Sequence, residues 1–374
     1  MLRLARKLNQ LGEQCHVLNL NPDIENARLL AAYPDVHILR APVRWLTWLR
    51  RVDRRLVRAG LGFSFQAWLT RRLTERRWLN RYDIFHSHLF KVDLIMARIK
   101  QSFPHIHFVS TLHGDYQLFH DNAQSGDGEQ IAGWQGKMAL LRAQCDGWVY
   151  IADKQARLLA EDYGVPRAKL HKIYNGYEPA APPPASASTQ DRSGLTFVMV
   201  ARGIREKGWD QLIEAFGRLP PGSRLLLVGE GPHLDELKKT HGSNPAITFV
   251  GFHPNPVEVI GKADVFVFPS LYGGESLPTV VMEALYCGVP VISTAIGEVP
   301  AMLATPSGET CGQLLDLVPA GTLSERLAEA MRRYLTDAAL LARHKELTGA
   351  AFAKFDMVAC AERYRSLYRA VLAH

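Results

Sequence analysis

Two series of strand-like runs, each alternating with helical periodicity, constrain this chain more than any other feature. In the first half the apolar, β-branched and aromatic runs are CHVLNLN, VHILRA, DIFHSHL, HFVSTLHG, GWVYIA and KLHKIYNG. Helical patterns fall between most of them, over 65–80, 92–101, 129–144 and 154–162. The second half runs LTFVMVA, RLLLVGEG, ITFVGF, VFVFPS and PVIST, with helices starting near 208 and 232 and three more from Pro319 onward. Successive strands separated by helices cannot be hairpin partners. Each half therefore predicts a parallel sheet with helices on both faces, an α/β fold.

Between the halves lies EPAAPPPASASTQDRS. Proline, alanine and serine without periodicity predict a linker over 178–193. The expected domains are 1–177 and 194–355, with a closing helix over 356–374. A chain of 374 residues is long enough for two cores. Doubly wound sheets bind ligands beyond the carboxyl ends of their strands, and with two domains the cleft between them is the expected site.

Composition excludes several classes. Hydrophobic residues make up 47% of the chain, a globular balance rather than a disordered one. Cys15, Cys145, Cys287, Cys311 and Cys360 are scattered, with no C-x-x-C pair. This argues against a disulfide framework or a structural zinc site and fits a reducing compartment. No apolar run approaches the ~18 residues of a membrane span. The start, MLRLARKLNQLGEQCHVL, is amphipathic and lacks a signal-peptide core. The expected location is the cytoplasm.

The formal charge of +7 is concentrated in one place. From Arg40 to Arg81 there are twelve arginines and two acids, Asp53 and Glu75. Trp45, Leu46, Trp48, Leu49, Phe63, Phe65 and Trp68 are interleaved with them. Three readings stay open. The stretch suits a surface lying on anionic lipid headgroups, a solvated helical face with its tryptophans in the core, or nucleic acid, in that order of preference.

Three motifs carry chemistry. ARGIREKGWDQLIEAF follows the strand LTFVMVA. Arg202 and Lys207 flank a turn and Gly208 opens a helix, so two cations sit beside a helix start, a seat for a diphosphate. VGEGPHL is a second glycine turn into a helix, close enough in type for backbone to approach a nucleotide. GGESLPTVVMEALYCGVP places Glu275 in a glycine loop and Glu283 eight positions later in an apolar helix. Pro278 precedes that helix, so N–H groups near Thr279 and Val280 have no partner within it and face any bound anion. Glu283 reads as too deep for an ordinary solvated acid. Ribose hydroxyls would supply the donors that a buried carboxylate needs.

These motifs together resemble the retaining glycosyltransferases of family 4. PSLYGGESLPTVVMEALYCGVPVI resembles that family's E-x7-E signature, RGIREKG its Arg/Lys phosphate loop, KIYNGYE the Asn-Gly turn that ends its first domain, and TLHGD its histidine loop. The resemblance covers nearly the whole chain. It implies a GT-B fold, two Rossmann-like domains facing a cleft, with the closing helix crossing back to the first. It implies a nucleotide-sugar donor, UDP-linked in preference to GDP-linked. Arg202, Lys207, Thr279 and Val280 would hold its diphosphate, Glu283 its ribose, and Glu275, Ser276 and Leu277 its sugar. Glu275 and His113 would be the catalytic pair, with His113 across the cleft. The acceptor would be a glycan or lipid-linked molecule of bacterial envelope polysaccharide or lipopolysaccharide assembly, with a peripheral contact to anionic membrane through 40–81 and no nucleic acid.

Breaking a sugar–phosphate bond puts negative charge on the leaving diphosphate, which something positive must meet. No Asp-x-Asp motif stands anywhere in the chain. The expectation is therefore a metal-independent transferase, with Arg202, Lys207 and the helix start meeting the charge. Retention of configuration follows from the resemblance, with the leaving phosphate taking the acceptor's proton.

One departure from the family pattern is large. Its members begin with a strand and a glycine-rich loop, whereas here Met1 leads straight into the helix LRLARKLNQLGEQ. In a doubly wound sheet that strand is central, and buried strand neighbours without partners are costly. The expectation is either that Met1 is not the native start or that the chain is a shortened variant. A second departure, Ala201 for a common glycine, is small. The alternative function is a non-catalytic nucleotide-sugar or glycan-binding GT-B protein. A nicotinamide dehydrogenase is disfavoured, because GEGPHL lacks the third glycine of G-x-G-x-x-G.

Overall fold

The computed structural model describes residues 1–20, 26–40, 79–114, 134–179, 194–318 and 320–373. Nearly all of the arginine-rich stretch 40–81, most of the expected helix 65–80 and nearly all of the linker therefore lie outside the described residues. The chain divides into two compact units, Met1–Glu178 with Met357–His374, and Pro179–Asp356.

In the first unit, β3 (Ile84–Ser87), β4 (His107–Leu112), β5 (Gly147–Tyr150) and β6 (Leu170–Lys172) form a parallel sheet in that order. Its helices are α1 (Leu2–Gln10), α2 (Ala27–Ala31), α3 (Phe90–Ser102), α4 (Trp134–Gln144), α5 (Asp153–Arg157) and, from the far end of the chain, α13 (Met357–Leu372). Strand alternation assigns the two faces. Phe108 and Trp148 pack with Leu94 and Ile99 of α3 and with Met138 and Leu141 of α4. Their neighbours Val109 and Val149 pack on the other side, with Leu4 and Leu8 of α1 and with Tyr364, Leu367 and Val371 of α13. The Asn-Gly turn is fitted to α13. A Cβ on Gly176 would stand 2.6 Å from Met357 Sδ, and Cys360 Sγ donates to Tyr174 O at 3.3 Å.

Strands β1 (Val17–Asn19) and β2 (Ile38–Arg40) pair in parallel with each other. Among the described residues neither is hydrogen-bonded into the four-stranded sheet. They stay beside it all the same. His16 Nδ1 lies 2.6 Å from Tyr82 Oη, and Leu20 packs on the same core as Phe85. Among the described residues the parallel structure of this unit is thus in two pieces.

In the second unit six parallel strands run in the order β12–β11–β10–β7–β8–β9. They are β7 (Thr196–Val200), β8 (Arg224–Val228), β9 (Ile247–Gly251), β10 (Val265–Phe268), β11 (Val291–Thr294) and β12 (Gly312–Leu315). The connecting helices are α6 (Trp209–Gly217), α7 (Pro232–His241), α8 (Val257–Ile260), α9 (Thr279–Tyr286) and α10 (Val299–Leu303), followed by α11 (Ala320–Thr336) and α12 (Ala338–Phe352). Strand β12 was not expected from the sequence. It begins with glycine and carries a polar Gln313, whose amide is satisfied by Ala330 O at 2.8 Å. One face of the sheet packs Phe197, Met199, Leu225 and Val267 against Trp209, Leu212 and Phe216 of α6 and Leu323, Leu327 and Met331 of α11.

The chain runs outward from β7 to β8 and β9, then returns past β7 to β10 and on to β12. The direction reverses between β7 and β10, which makes that point the topological switch of the sheet. These folds match the GT-B architecture expected for the chain.

Leu8 is 2% exposed and lies where α1 meets α13. Leu8→Ala should lower stability by roughly 2–5 kcal/mol, read as a shift of the urea unfolding midpoint in a fluorescence titration. A shift equivalent to less than about 0.5 kcal/mol, the range of substitutions away from packed features, would show that α1 is not part of this core.

Candidate functional site

Two loops leave the second unit's sheet at the switch point, one after β7 and one after β10. Both are held by tight backbone contacts. Gly208 has φ +82°, and a Cβ there would stand 2.2 Å from Pro269 O. The two loops are also tied by Leu271 N donating to Glu206 O at 2.8 Å. Trp209, fully buried, donates its indole N–H to Arg202 O at 3.0 Å. From the β11 side, Glu298 N donates to Ser276 O at 2.9 Å, and a Cβ on Gly297 would stand 2.5 Å from Glu275 O. Glycine is needed at 208 and 297 because each backbone is left-handed and touches another backbone.

This frame brings most of the expected residues together. Lys207 Nζ donates to Glu275 Oε1 in an ion pair whose side chains are 8% and 11% exposed. Ser270 Oγ donates to the same carboxylate oxygen at 3.0 Å. The Tyr272 ring lies between two cations, with Lys207 Nζ 4.8 Å and Arg202 Cζ 5.9 Å from its centroid. Both distances are within cation–π range. Arg202 is otherwise exposed. A Cβ on Gly274 would stand 2.7 Å from the Tyr272 ring, so Gly274 leaves room for that aromatic.

Ser276 and Leu277 lead into α9. Its N-cap is Pro278, with no side-chain cap and no acid in the first turn. The N–H groups of Thr279 and Val280 therefore begin a helix whose positive dipole end nothing in its own first turn offsets. Thr279 is exposed and Leu277 buried. Glu283 lies one turn further on and is half-buried, with its Oε2 enclosed, as its apolar neighbours suggested.

His113 belongs to the first unit, just past β4. Its Nε2 lies 2.9 Å from His88 Nδ1, and the two rings stack at 5.2 Å between centroids. His88 in turn packs against His86, with the centroids 4.2 Å apart and the rings tilted by 36°. Both nitrogens of His86 are taken, by Tyr368 Oη at 2.7 Å and Thr111 Oγ1 at 2.7 Å. Burial is the main reason that all three imidazoles bind protons weakly. It pushes His86 down to about 3, His88 well below the ordinary histidine value, and His113 down to about 4, although His113 keeps one edge open to solvent.

Reading the sequence missed Tyr272, Ser270, His86 and His88. An aromatic before Gly-Gly and the HSH at a strand end were the available signals. Neither shows its partner, because those partners lie on other elements.

With this geometry in place, known proteins can be compared. The model for Glycosyltransferase Family 4 matches residues 1–181, and that for Glycosyl transferases group 1 matches 194–337. An exopolysaccharide phosphotransferase of Streptomyces coelicolor is 29% identical over 64% of this chain and 25% of its own length. A 2-deoxystreptamine N-acetyl-D-glucosaminyltransferase of Streptomyces fradiae is 28% identical over 94% of this chain and 84% of its own. The matched region spans a quarter to a third of the length of several curated relatives. Among solved structures, Anabaena HepE, crystallised with UDP, shares the fold with a TM-score of 0.68. It is 15% identical, over 99% of this chain and 96% of that one.

Two predictions follow from the charges. Glu275→Gln leaves Lys207 as a buried cation without its counter-charge and should cost roughly 3–5 kcal/mol. Lys207→Met together with Glu275→Gln should cost less than the sum of the single changes, in a double-mutant cycle of urea unfolding. Strict additivity would mean that the pair is not coupled. The second prediction concerns the histidines. Their folded pKa values lie below the unfolded value of ~6.5, so the unfolded state takes up more protons below that pH. Stability should be full above about pH 6.5 and fall as pH drops toward about 3, the value for His86. His86→Asn should flatten the slope of unfolding free energy against pH. An unchanged slope would contradict the assignment.

Proposed function

This chain belongs to glycosyltransferase family 4, and on that premise we propose that it moves a sugar from a nucleotide-sugar donor to a glycan or lipid-linked acceptor, with retention of configuration. The observation that carries this reading is the buried Lys207–Glu275 pair at the switch point, beside Arg202 and the start of α9.

Without donor, Glu275 neutralises Lys207. A diphosphate offers more negative charge and more acceptor oxygens than one carboxylate. It competes for Lys207, joins Arg202, and meets the N–H groups of Thr279 and Val280. Glu275 is then released from its cation and turns to a sugar hydroxyl, with Ser270 still oriented toward it. The same residues meet the charge that grows as the sugar–phosphate bond breaks, in a site already shaped for it. The acceptor oxygen bonds to the anomeric carbon on the face that the phosphate leaves. Its proton passes to a phosphate oxygen. Glu275 shapes the field at the anomeric carbon and forms no bond to it. Glu283 accepts from the ribose hydroxyls. His113 is the first unit's participant in the transfer.

UDP is the preferred nucleotide, a choice supported by the UDP bound to HepE. The exopolysaccharide name of one relative supports a role in polysaccharide assembly. We assign the leaving-group charge to Arg202, Lys207 and α9 without a metal. Among the described residues no helix is long and apolar enough to cross a membrane.

Calorimetry with UDP, GDP and ADP in EDTA-treated buffer tests the donor site. UDP should bind without added metal. Arg202→Ala should weaken it by about tenfold or more, the order of a lost charge-assisted hydrogen bond. Metal-dependent binding would overturn the metal-free assignment, and equal affinity in the variant would remove Arg202 from the site.

A further inference from the structure

The histidines of the first unit form a layered arrangement that the donor site does not explain. Strands β3 and β4 are register-paired, Ser87 with Ser110. Their ends are held together from below. Asp93 of α3 is fully buried and its Oδ1 accepts from Ser87 Oγ and, at 2.9 Å, from Ser110 Oγ. His88 and His113 stand just beyond this anchor. Behind them, His86 has both nitrogens occupied, and its Thr111 partner lies 3.0 Å from Tyr364 Oη. Tyr364 and Tyr368 both come from α13, so the last helix of the chain fixes the innermost ring. That ring supports His88 by tilted ring contact, and His88 reaches His113 by a hydrogen bond.

We propose that His88 is a positioning residue for His113, fixing which ring nitrogen His113 presents and coupling the tautomers of the two rings. This rests on the reading of His113 as a participant in the transfer. The contact between His88 Nδ1 and His113 Nε2 has room for one proton while both rings are neutral. If His88 carries it, His113 Nε2 accepts and His113 Nδ1–H is a donor. If His113 carries it, His113 Nδ1 is a bare acceptor. Passing from the first state to the second without net charge takes three moves: the bridging proton crosses to His113 Nε2, the Nδ1 proton of His113 leaves to a hydroxyl oxygen or water, and His88 Nε2 takes one proton from water. Such a pair can donate to a sugar hydroxyl in one state and accept from an acceptor hydroxyl in the other. A lone exposed histidine would instead exchange freely between tautomers and take up a proton near its ordinary pKa.

The surroundings of His88 favour neutrality. The groups facing it are His86 and His113, with Tyr364 and Tyr368 of α13 behind His86. Burial disfavours the imidazolium most, and the neighbouring histidines act in the same direction.

The test is the ring-nitrogen NMR spectrum of the full chain with 15N-labelled histidine. His113 is assigned by its loss in His113→Gln. In the wild type, His113 should show one neutral tautomer at pH 6. His88→Ala should give averaged tautomers and a titration midpoint raised toward ~6.5. His88→Asn places an amide near the former Nδ1 and should restore the single tautomer. Urea unfolding midpoints close to the wild type's show that the variants are folded. An averaged wild-type His113 overturns the proposal without any variant, as does a single tautomer that survives His88→Ala.

Nucleotide release from UDP-glucose supplies the catalytic arm. His88→Ala should lower kcat about tenfold or more with KM for UDP-glucose unchanged, and His88→Asn should recover most of the rate. If His113→Gln leaves release unchanged while the tautomer results hold, the reading of His113 fails rather than the hydrogen bond. The catalytic use of the pair then falls with it.

Discussion

The ion pair between Lys207 and Glu275 is the interaction on which the second unit's site depends. Two opposite charges this enclosed are retained only with good geometry and further hydrogen bonds. The site supplies both, Ser270 on the carboxylate and two aromatic rings near the ammonium, with Phe268 at 6.0 Å and Tyr272 at 4.8 Å. The pair also joins the two loops that diverge at the switch point. Each loop is pinned separately, one by Trp209 and Gly208, the other by Gly297 and Glu298. The pair is thus a contact between two fixed walls and not between two mobile chains. That is the preorganisation a polar site needs in order to meet charge that develops during a reaction.

A stored ion pair also explains why a lysine and a glutamate stand so close in a site read as binding an anion. A lysine alone in this low-exposure position would be costly, and a glutamate alone would repel a diphosphate. Together they are near neutral, and in the proposed function an arriving anion would redistribute the same two charges. The histidines of the first unit are kept neutral by different means. Burial and mutual contact, rather than a counter-charge, suppress protonation there, so the two units carry different electrostatic designs.

Much of the fold was legible in the sequence because parallel sheets announce themselves. LTFVMVA, RLLLVGEG and VFVFPS are continuous apolar runs, as strands covered on both faces must be. Strand β12 escaped because Gly312 and Gln313 break that pattern, and Gln313 is made acceptable by a partner 17 positions away in α11, Ala330 O. In the site, Arg202, Lys207 and Glu275 were readable as a set through their loops and glycines. Tyr272 was not, since its meaning lies in two cations from another loop. His88 and His86 were hidden for the same reason. Their partners, His113, Thr111 and Tyr368, are 25, 25 and 282 positions away in the chain. Glu283 was readable in part. Its apolar neighbours in sequence suggested burial, and the helix encloses one carboxylate oxygen, Oε2, while the residue as a whole is half-buried.

The central claim is that Lys207 changes partner when donor binds. A crystal structure of the protein with UDP tests it most directly. The account predicts the diphosphate against Arg202 and the N–H groups of Thr279 and Val280, with Lys207 Nζ in hydrogen-bond contact with a phosphate oxygen and Glu275 relieved of full pairing. A diphosphate bound elsewhere, or bound here while Lys207 stays wholly on Glu275, would contradict it.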